Sequence, residues 1–465
     1  MRDRPLQQEV SQMSSVTLSL LASQIGLSLE SQDVALTGLA IDSRQVKHGD
    51  LFAAIEGETA NGNDFIDSAL ANGAAAIISE QPVSHSIPSL RVDNVQRACA
   101  DFGLLMRRAS SATVVGITGS AGKTTAKGYI EQICSRAGST IATLGNQNNE
   151  LGVPLTLGRL STDPEFAVIE MGAAQRGDIA FLARMALPKV VVLLNAFEAH
   201  LGRFGSVENI VETKGEILDG LNRESVAVLN ADQSHFAAWK ERAKPAAILS
   251  FGMTPDADVH CLEVVSHGFS GTSITLSICG ASYAIRLAVP GVAGIMNALA
   301  GAAVGQALGL NHGDIIAGLE SLVPVAGRGK TLQLERGIRV VDDSYNASPS
   351  SVEAALSVLA ATPVPRTAVL GDMLELGVDA VDYHRQVGRH LAACGVERLF
   401  CVGDLARYFG DVSGVSTEHF SDVTALIASK PQFDANETIL VKGSRGIKLD
   451  RFVDSLSESL GEMQC

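Results

Sequence analysis

Gly116-Ile117-Thr118-Gly119-Ser120-Ala121-Gly122-Lys123-Thr124-Thr125 closes an apolar, β-branched run that begins at Thr113, and it opens a helix-forming segment, Lys123 to Arg136. Strand, glycine turn and helix in that order form the layout of a phosphate-binding loop. Glycines let backbone N–H groups approach phosphate oxygens, the helix N-terminus adds a favourable dipole, Lys123 brings positive charge, and the Thr124 hydroxyl is placed to ligate magnesium. The expected ligand is ATP or a similar nucleoside triphosphate. Ile117 stands where the general G-x-x-x-x-G-K-[ST] pattern has its first glycine, so the glycines fall as G-x-x-G-x-x-G-K-T-T. The stretch is either a variant phosphate loop or a lysine-bearing glycine turn of some other Rossmann-like protein.

Outward from this loop, over 109–323, strands and helices alternate. Apolar runs at Val114–Ile117, Phe166–Ile169, Val190–Leu194 and Val226–Leu229 predict a parallel sheet covered on both faces. Ligands of such sheets bind beyond the carboxyl ends of the strands, which sets the loop, Glu170, Asn195 and Asn230 along one crevice. Alternation and turns from Val259 to Val289 predict an appended small antiparallel sheet, and a helix is expected from Asn297 to Leu308.

Residues 1–108 read as a small α/β domain, the first 15 or so as a frayed polar leader. Past a Pro/Gly linker, Val323 to Gly329, residues 324–465 predict a second α/β unit with strands at Arg339–Val341, Ala368–Leu370, Leu399–Val402 and Ile439–Val441. The expected fold class is α/β in three domains: a small N-terminal α/β domain, a central phosphate-loop ATPase domain on a parallel sheet, and a C-terminal Rossmann-like domain. Two doubly wound sheets facing each other would form a closing cleft.

The chain of 465 residues is long enough for about three domains, and its net charge of −15 argues against a nucleic-acid surface. Seven cysteines without a C-x-x-C pair fit neither a disulfide framework nor a zinc site, so a reducing cytoplasm is the expected compartment. Gly291 to Leu310 carries no charge over a membrane-spanning length. Its glycine and alanine content, Asn297, Gln306 and the preceding Pro290 point to a helix buried between domains, and no membrane span is expected.

Three further residues suggest chemistry. Glu170 ends a strand, where a carboxylate can face the loop and hold magnesium. His200 lies just past the end of the next strand, either as a ligand or as a structural hydrogen-bonder. Lys214 falls within an apolar helical stripe of Val207, Ile210, Val211, Ile217, Leu218 and Leu221, with no acid three or four residues away. Burial would lower its pKa and yield a neutral amine able to take up carbon dioxide as a carbamate; alternatively, the side chain snorkels from the helix rim.

Taken together, the motifs resemble the Mur ligases of bacterial cell-wall synthesis. The resembling stretches are Asp42-Ser43-Arg44, the loop itself, Asn148-Asn149-Glu150-Leu151-Gly152, Glu170-Met171-Gly172, AHLGRFGS from Ala199, Lys214-Gly215-Glu216, DDSYNASP from Asp342, GDMLELG from Gly371 and LVKGSRG from Leu440. The resemblance is greatest to the members that add a dipeptide; a sibling adding one amino acid and a non-ligating nucleotide switch are the competing readings. It implies that ATP phosphorylates the terminal carboxylate of UDP-N-acetylmuramoyl-tripeptide and that D-alanyl-D-alanine displaces phosphate.

By the same resemblance, Gly119, Ser120, Ala121, Gly122, Lys123, Thr124, Thr125, Asn297, Arg328 and Asp343 would bind ATP. Thr124, Glu170, His200 and a carbamylated Lys214 would hold magnesium, with Lys123, Glu170, His200 and Lys214 catalytic. Ser43 and Arg44 would meet the uridine diphosphate, and Tyr345 and Asn346 the dipeptide or nucleotide. A monomer is expected. Ala293 and Gly294 stand where the family usually shows a His-Asn pair, Asn63 where it shows histidine, and Ser348 where it shows asparagine.

Overall fold

A computed structural model describes residues 15–57, 60–197 and 201–461 of the chain. The polar leader over 1–14 and His200 lie outside the described residues.

In the N-terminal part, strands Gly38–Ala40, Asp50–Ala54, Ala76–Ser79 and Ser89–Arg91 pair in parallel and in chain order. Every residue of Asp50–Ala54 is buried, as expected of a strand covered on both faces. Helix Val95–Ala109 begins where the Asn94 side chain accepts the Arg97 N–H, and it buries Val95, Cys99, Phe102 and Leu105 against the sheet.

The central sheet has nine strands. The predicted runs form Thr113–Thr118, Phe166–Glu170, Val190–Leu193 and Val226–Asn230, all parallel. Thr113–Thr118 lies between Val190–Leu193 and Phe166–Glu170. The loop therefore emerges between the strand that ends in Glu170 and the strand that leads to Asn195.

The appended sheet expected over 259–289 does not exist as a separate unit. Strand Ala247–Gly252, missed in the sequence, pairs in parallel with both Val226–Asn230 and Val259–Ser266, and the hairpins that follow extend the central sheet antiparallel. Alternation identified these segments as strands, but strand type carries no information about which edge a strand joins.

The helix expected from Asn297 runs from Gly291 to Ala307, with Pro290 as its N-cap. Its small residues permit close packing: a Cβ on Gly301 would stand 3.0 Å from Tyr129 Cβ, and one on Gly305 would stand 2.6 Å from Ile315. Ile295, Ala298, Leu299 and Val304 join the core beneath the sheet. Among the described residues, no helix is long and apolar enough to cross a membrane. On the opposite face of the sheet, Trp239, the only tryptophan, is 2% exposed in a cluster with Ile217, Ala227 and Leu229.

The C-terminal sheet orders its six strands as Lys330–Gln333, Arg339–Asp343, Thr438–Lys442, Arg366–Gly371, Arg398–Val402 and Ser416–Phe420. All pairs are parallel except the first. Asp343 is directly opposite Lys442, and Leu370 opposite Lys442 on the other side, so the polar ends of three strands meet. Phe269, on a hairpin of the central sheet, packs against the C-terminal core.

Candidate functional site

Gly122 shapes the phosphate loop. It caps helix Lys123–Ala137 at φ 82°, and a Cβ there would stand 2.5 Å from the Asn297 Oδ1. The position therefore requires glycine both for its left-handed backbone and for the approach of Asn297. Gly122→Ala is expected to lower stability by about 1–3 kcal/mol in denaturant unfolding and to weaken nucleotide binding in a titration.

Asn195 fixes the loop from the neighbouring strand end. Its Oδ1 accepts the Ala121 N–H at 2.9 Å and its Nδ2 donates to the Ala121 carbonyl at 3.1 Å. Ser120 is tied to Phe197 through its hydroxyl, which donates to the carbonyl at 3.1 Å and accepts the N–H at 3.0 Å. Lys123 Nζ folds back onto the Gly119 carbonyl at 2.7 Å, and burial lowers its pKa. Asn230 is more remote: it is 4% exposed and donates to the Leu194 carbonyl at 2.8 Å, bracing the strand ends.

Glu170, 1% exposed, is held at three points. The Thr124 hydroxyl donates to Oε2 at 3.0 Å, Asn148 Nδ2 donates to Oε1 at 2.7 Å, and the Glu170 N–H reaches Thr143 Oγ1 at 3.0 Å. Asn148 begins the stretch Asn148–Gly152, whose residue types alone assign it no role; its place beside a buried carboxylate supplies one. Lys127 donates to the Thr143 carbonyl at 2.6 Å, holding a second cation behind Glu170.

A cavity of about 530 Å³ opens over the loop. The central domain lines it with Ser120 to Thr124, Asn148 and Glu170, and the C-terminal part with Asp343, Tyr345, Asn346, Lys442 and Arg445. Arg328, in the linker, stacks over the Tyr345 ring at 4.0 Å, while Arg445 approaches the same ring at 5.4 Å. Lys442 was not singled out in the sequence. Its Nζ is 2.7 Å from Asp343 Oδ2 and 3.0 Å from the Asn346 carbonyl, and burial pushes the Asp343 carboxyl up against the opposing pull of this ammonium. No local pattern marks such a pair, because its halves are brought together only by the register of two strands.

A second cavity, of about 400 Å³, shares Ser120, Lys123 and Asn148 with the first and contains Lys214. Lys214 is 4% exposed, and its side-chain amine makes no hydrogen bond or ion pair with another described residue. Its Nζ lies 5.8 Å from the centre of the Phe204 ring. Burial, reinforced by Lys123 and opposed by Asp178 and Glu216, lowers its pKa to about 7. Glu216 is already engaged, accepting the Gly177 N–H at 2.7 Å and the Ala180 N–H at 3.1 Å.

The supporting stripe is real but shorter than expected. The helix is Val207–Gly215, followed by a tighter turn, Glu216–Leu218, so Leu221 lies beyond it. Ile210, Val211, Ile217 and Leu218 are buried as anticipated, and the snorkelling alternative does not apply.

Not every expected site residue converges here. Ser43 and Arg44 line neither cavity: Ser43 is buried, with its carbonyl accepting from Asn72, and Arg44 pairs with Asp42 at 2.7 Å in an exposed turn. Thr125 lies on the first turn of the loop helix. Among the described residues, no three His, Cys, Asp or Glu side chains gather as a metal cluster. The oxygen donors placed together beside the phosphate loop are those of Thr124 and Glu170. Such a sparse set fits magnesium, a hard cation that keeps waters and takes phosphate oxygens instead of an all-protein cage.

The family models of the Mur ligase family catalytic domain, the Mur ligase middle domain and the Mur ligase glutamate ligase domain match residues 35–104, 117–305 and 327–445. The UDP-N-acetylmuramoyl-tripeptide–D-alanyl-D-alanine ligase of Escherichia coli (strain K12) is 38% identical over 453 residues, covering 96% of this chain and 99% of that protein. A crystal structure of MurF from Acinetobacter baumannii superposes with a TM-score of 0.83 at 30% identity, covering 98% of both chains. MurF ligase from Thermotoga maritima in complex with ADP gives a TM-score of 0.79 at 30% identity, covering 90% of this chain and 97% of that one.

Proposed function

The chain belongs to the Mur ligase family, and from that premise we propose that it joins D-alanyl-D-alanine to UDP-N-acetylmuramoyl-tripeptide with ATP, in peptidoglycan precursor synthesis. One observation carries the reading: the glycine loop, the buried Glu170 and the low-pKa Lys214 converge on two cavities with a common wall.

The proposed reaction has two steps. A tripeptide carboxylate oxygen attacks the γ-phosphorus and the bond to ADP breaks, giving an acyl phosphate. The dipeptide amine then attacks the acyl carbon, the C–O bond to phosphate breaks, and the nitrogen loses a proton. A carboxylate is a poor acyl donor, whereas the acyl phosphate carries a good leaving group. Loop N–H groups and Lys123 would hold the phosphates, and preorganised charge would stabilise the transferring group. Magnesium, held by Thr124 and Glu170 with His200, would neutralise phosphate charge. Lys214 as a carbamate would supply a further anionic oxygen pair beside it.

We assign residues 1–108 to the UDP-sugar end with Ser43 and Arg44, 109–323 to ATP with Asn297, and 324–465 to the dipeptide. Arg328 and Asp343 would reach the nucleotide from the linker and the C-terminal part. Tyr345 and Asn346 would serve the dipeptide or the nucleotide. We place the enzyme in the cytoplasm as a monomer, a compartment supported by its six described cysteines, all unpaired.

Phosphate release tests the proposal. With ATP and magnesium, release should require both the UDP-tripeptide and D-alanyl-D-alanine. Equal rates with either substrate alone would refute ligation.

A further inference from the structure

The segment Leu201–Phe204 forms one wall of the Lys214 cavity through Arg203 and Phe204, and it is held from the C-terminal domain. The Gly202 N–H donates to the Glu375 carbonyl at 3.0 Å, and Arg203 pairs with the Glu375 carboxylate at 2.8 Å. The approach is close: a Cβ on Gly202 would stand 3.3 Å from the Gly377 nitrogen. Glu375 itself adopts φ 64°, an uncommon conformation for a side-chain-bearing residue. That backbone turn lets one residue offer both its carbonyl and its carboxylate to the same short helix.

The same loop, Leu374 to Leu376, lines the cavity over the phosphate loop. Glu375 thus touches the wall of one cavity while belonging to the wall of the other. Phe204, the next residue after Arg203, faces Lys214 and is held from behind by Asn209, whose Nδ2 donates to the Phe204 carbonyl at 2.7 Å.

We propose that Arg203 and Glu375 form an interdomain latch, a pair of positioning residues through which docking of the C-terminal domain fixes the wall of the Lys214 cavity. Neither residue performs chemistry. The latch sets the geometry around Lys214 only when the domain that receives the second substrate is in place. This inference rests on the ligase reading above.

A charge swap tests it. Arg203→Glu and Glu375→Arg should each lower kcat/KM for D-alanyl-D-alanine by about threefold to tenfold, because each swap both removes a partly exposed ion pair and sets like charges against each other. Binding of a non-hydrolysable ATP analogue should be unchanged, as should the thermal unfolding midpoint. The double variant should recover to within about twofold of the parent, since the pair is restored with reversed polarity. Single variants as active as the parent, or a double variant no better than its worse single, would overturn the latch. If the parent shows no dipeptide-dependent phosphate release, the ligase reading fails instead. The latch is then judged by small-angle scattering of the enzyme with the ATP analogue. Both single variants should be more expanded than the parent and the double variant should not; no difference among the four proteins would refute it.

Discussion

Lys214→Ala is expected to lower ligation by at least about 10²–10³-fold, the scale on which a positioned charged group at a phosphoryl-transfer site acts. The cause lies in protonation. With a pKa of about 7, roughly half of the Lys214 amines are neutral at neutral pH, against on the order of one in three thousand for an ordinary lysine. Only the neutral amine attacks carbon dioxide; the new N–C bond releases a proton and leaves a carbamate. Activity of enzyme depleted of carbon dioxide and then resupplied should therefore rise with pH through about 7. Added acetate should partly restore Lys214→Ala, because a small carboxylate can occupy the vacated volume. Full activity in the variant would dismiss the carbamate.

The same shift has a consequence for stability. The folded state disfavours the Lys214 ammonium, so between the folded pKa near 7 and the ordinary value of 10.5 the unfolded chain binds more protons. Stability contributed through this group increases with pH across that window, and the full penalty is present below it. Lys214→Met should accordingly unfold at higher denaturant than the parent below pH 7, with the gain fading as pH rises. An inactive but more stable variant would separate function from folding.

Glu170→Gln should have an effect of comparable size, lowering ligation by about 10²–10³-fold and shifting the magnesium requirement to higher concentration. The substitution retains volume but removes the negative charge that faces Lys123 and Lys127. It also places an amide where Oε1 and Oε2 now accept from Asn148 and Thr124, so one of those donors loses its acceptor. Titrating phosphate release with magnesium distinguishes this from mere unfolding. An unchanged magnesium dependence would argue that Glu170 serves only to anchor the loop.

Local signals made much of this molecule legible. The β-branched runs before the loop and before Glu170 specify buried parallel strands, and a lysine inside an apolar stripe is conspicuous because burial opposes its charge. Sequence separation hid the rest. Ala247–Gly252 joins 226–230 and 259–266 through backbone pairing, so its place as the bridge to the hairpins is not written in any one segment. Lys442 meets Asp343 across 99 residues and Arg203 meets Glu375 across 172. Both are products of register and domain docking. Ser43 and Arg44 belong to a resembling motif, yet the structure keeps them away from both cavities, since shared residue types fix a local turn and not the distance between domains.

The position of Trp239 has a practical consequence. The only indole of the chain is sealed in a cluster to which the C-terminal domain contributes no described residue. Its emission should report loss of the central core and remain silent when that domain moves. An intrinsic-fluorescence melt therefore reads one part of this enzyme, and a tryptophan placed at Tyr345, under the Arg328 guanidinium, would provide the missing optical signal for the other.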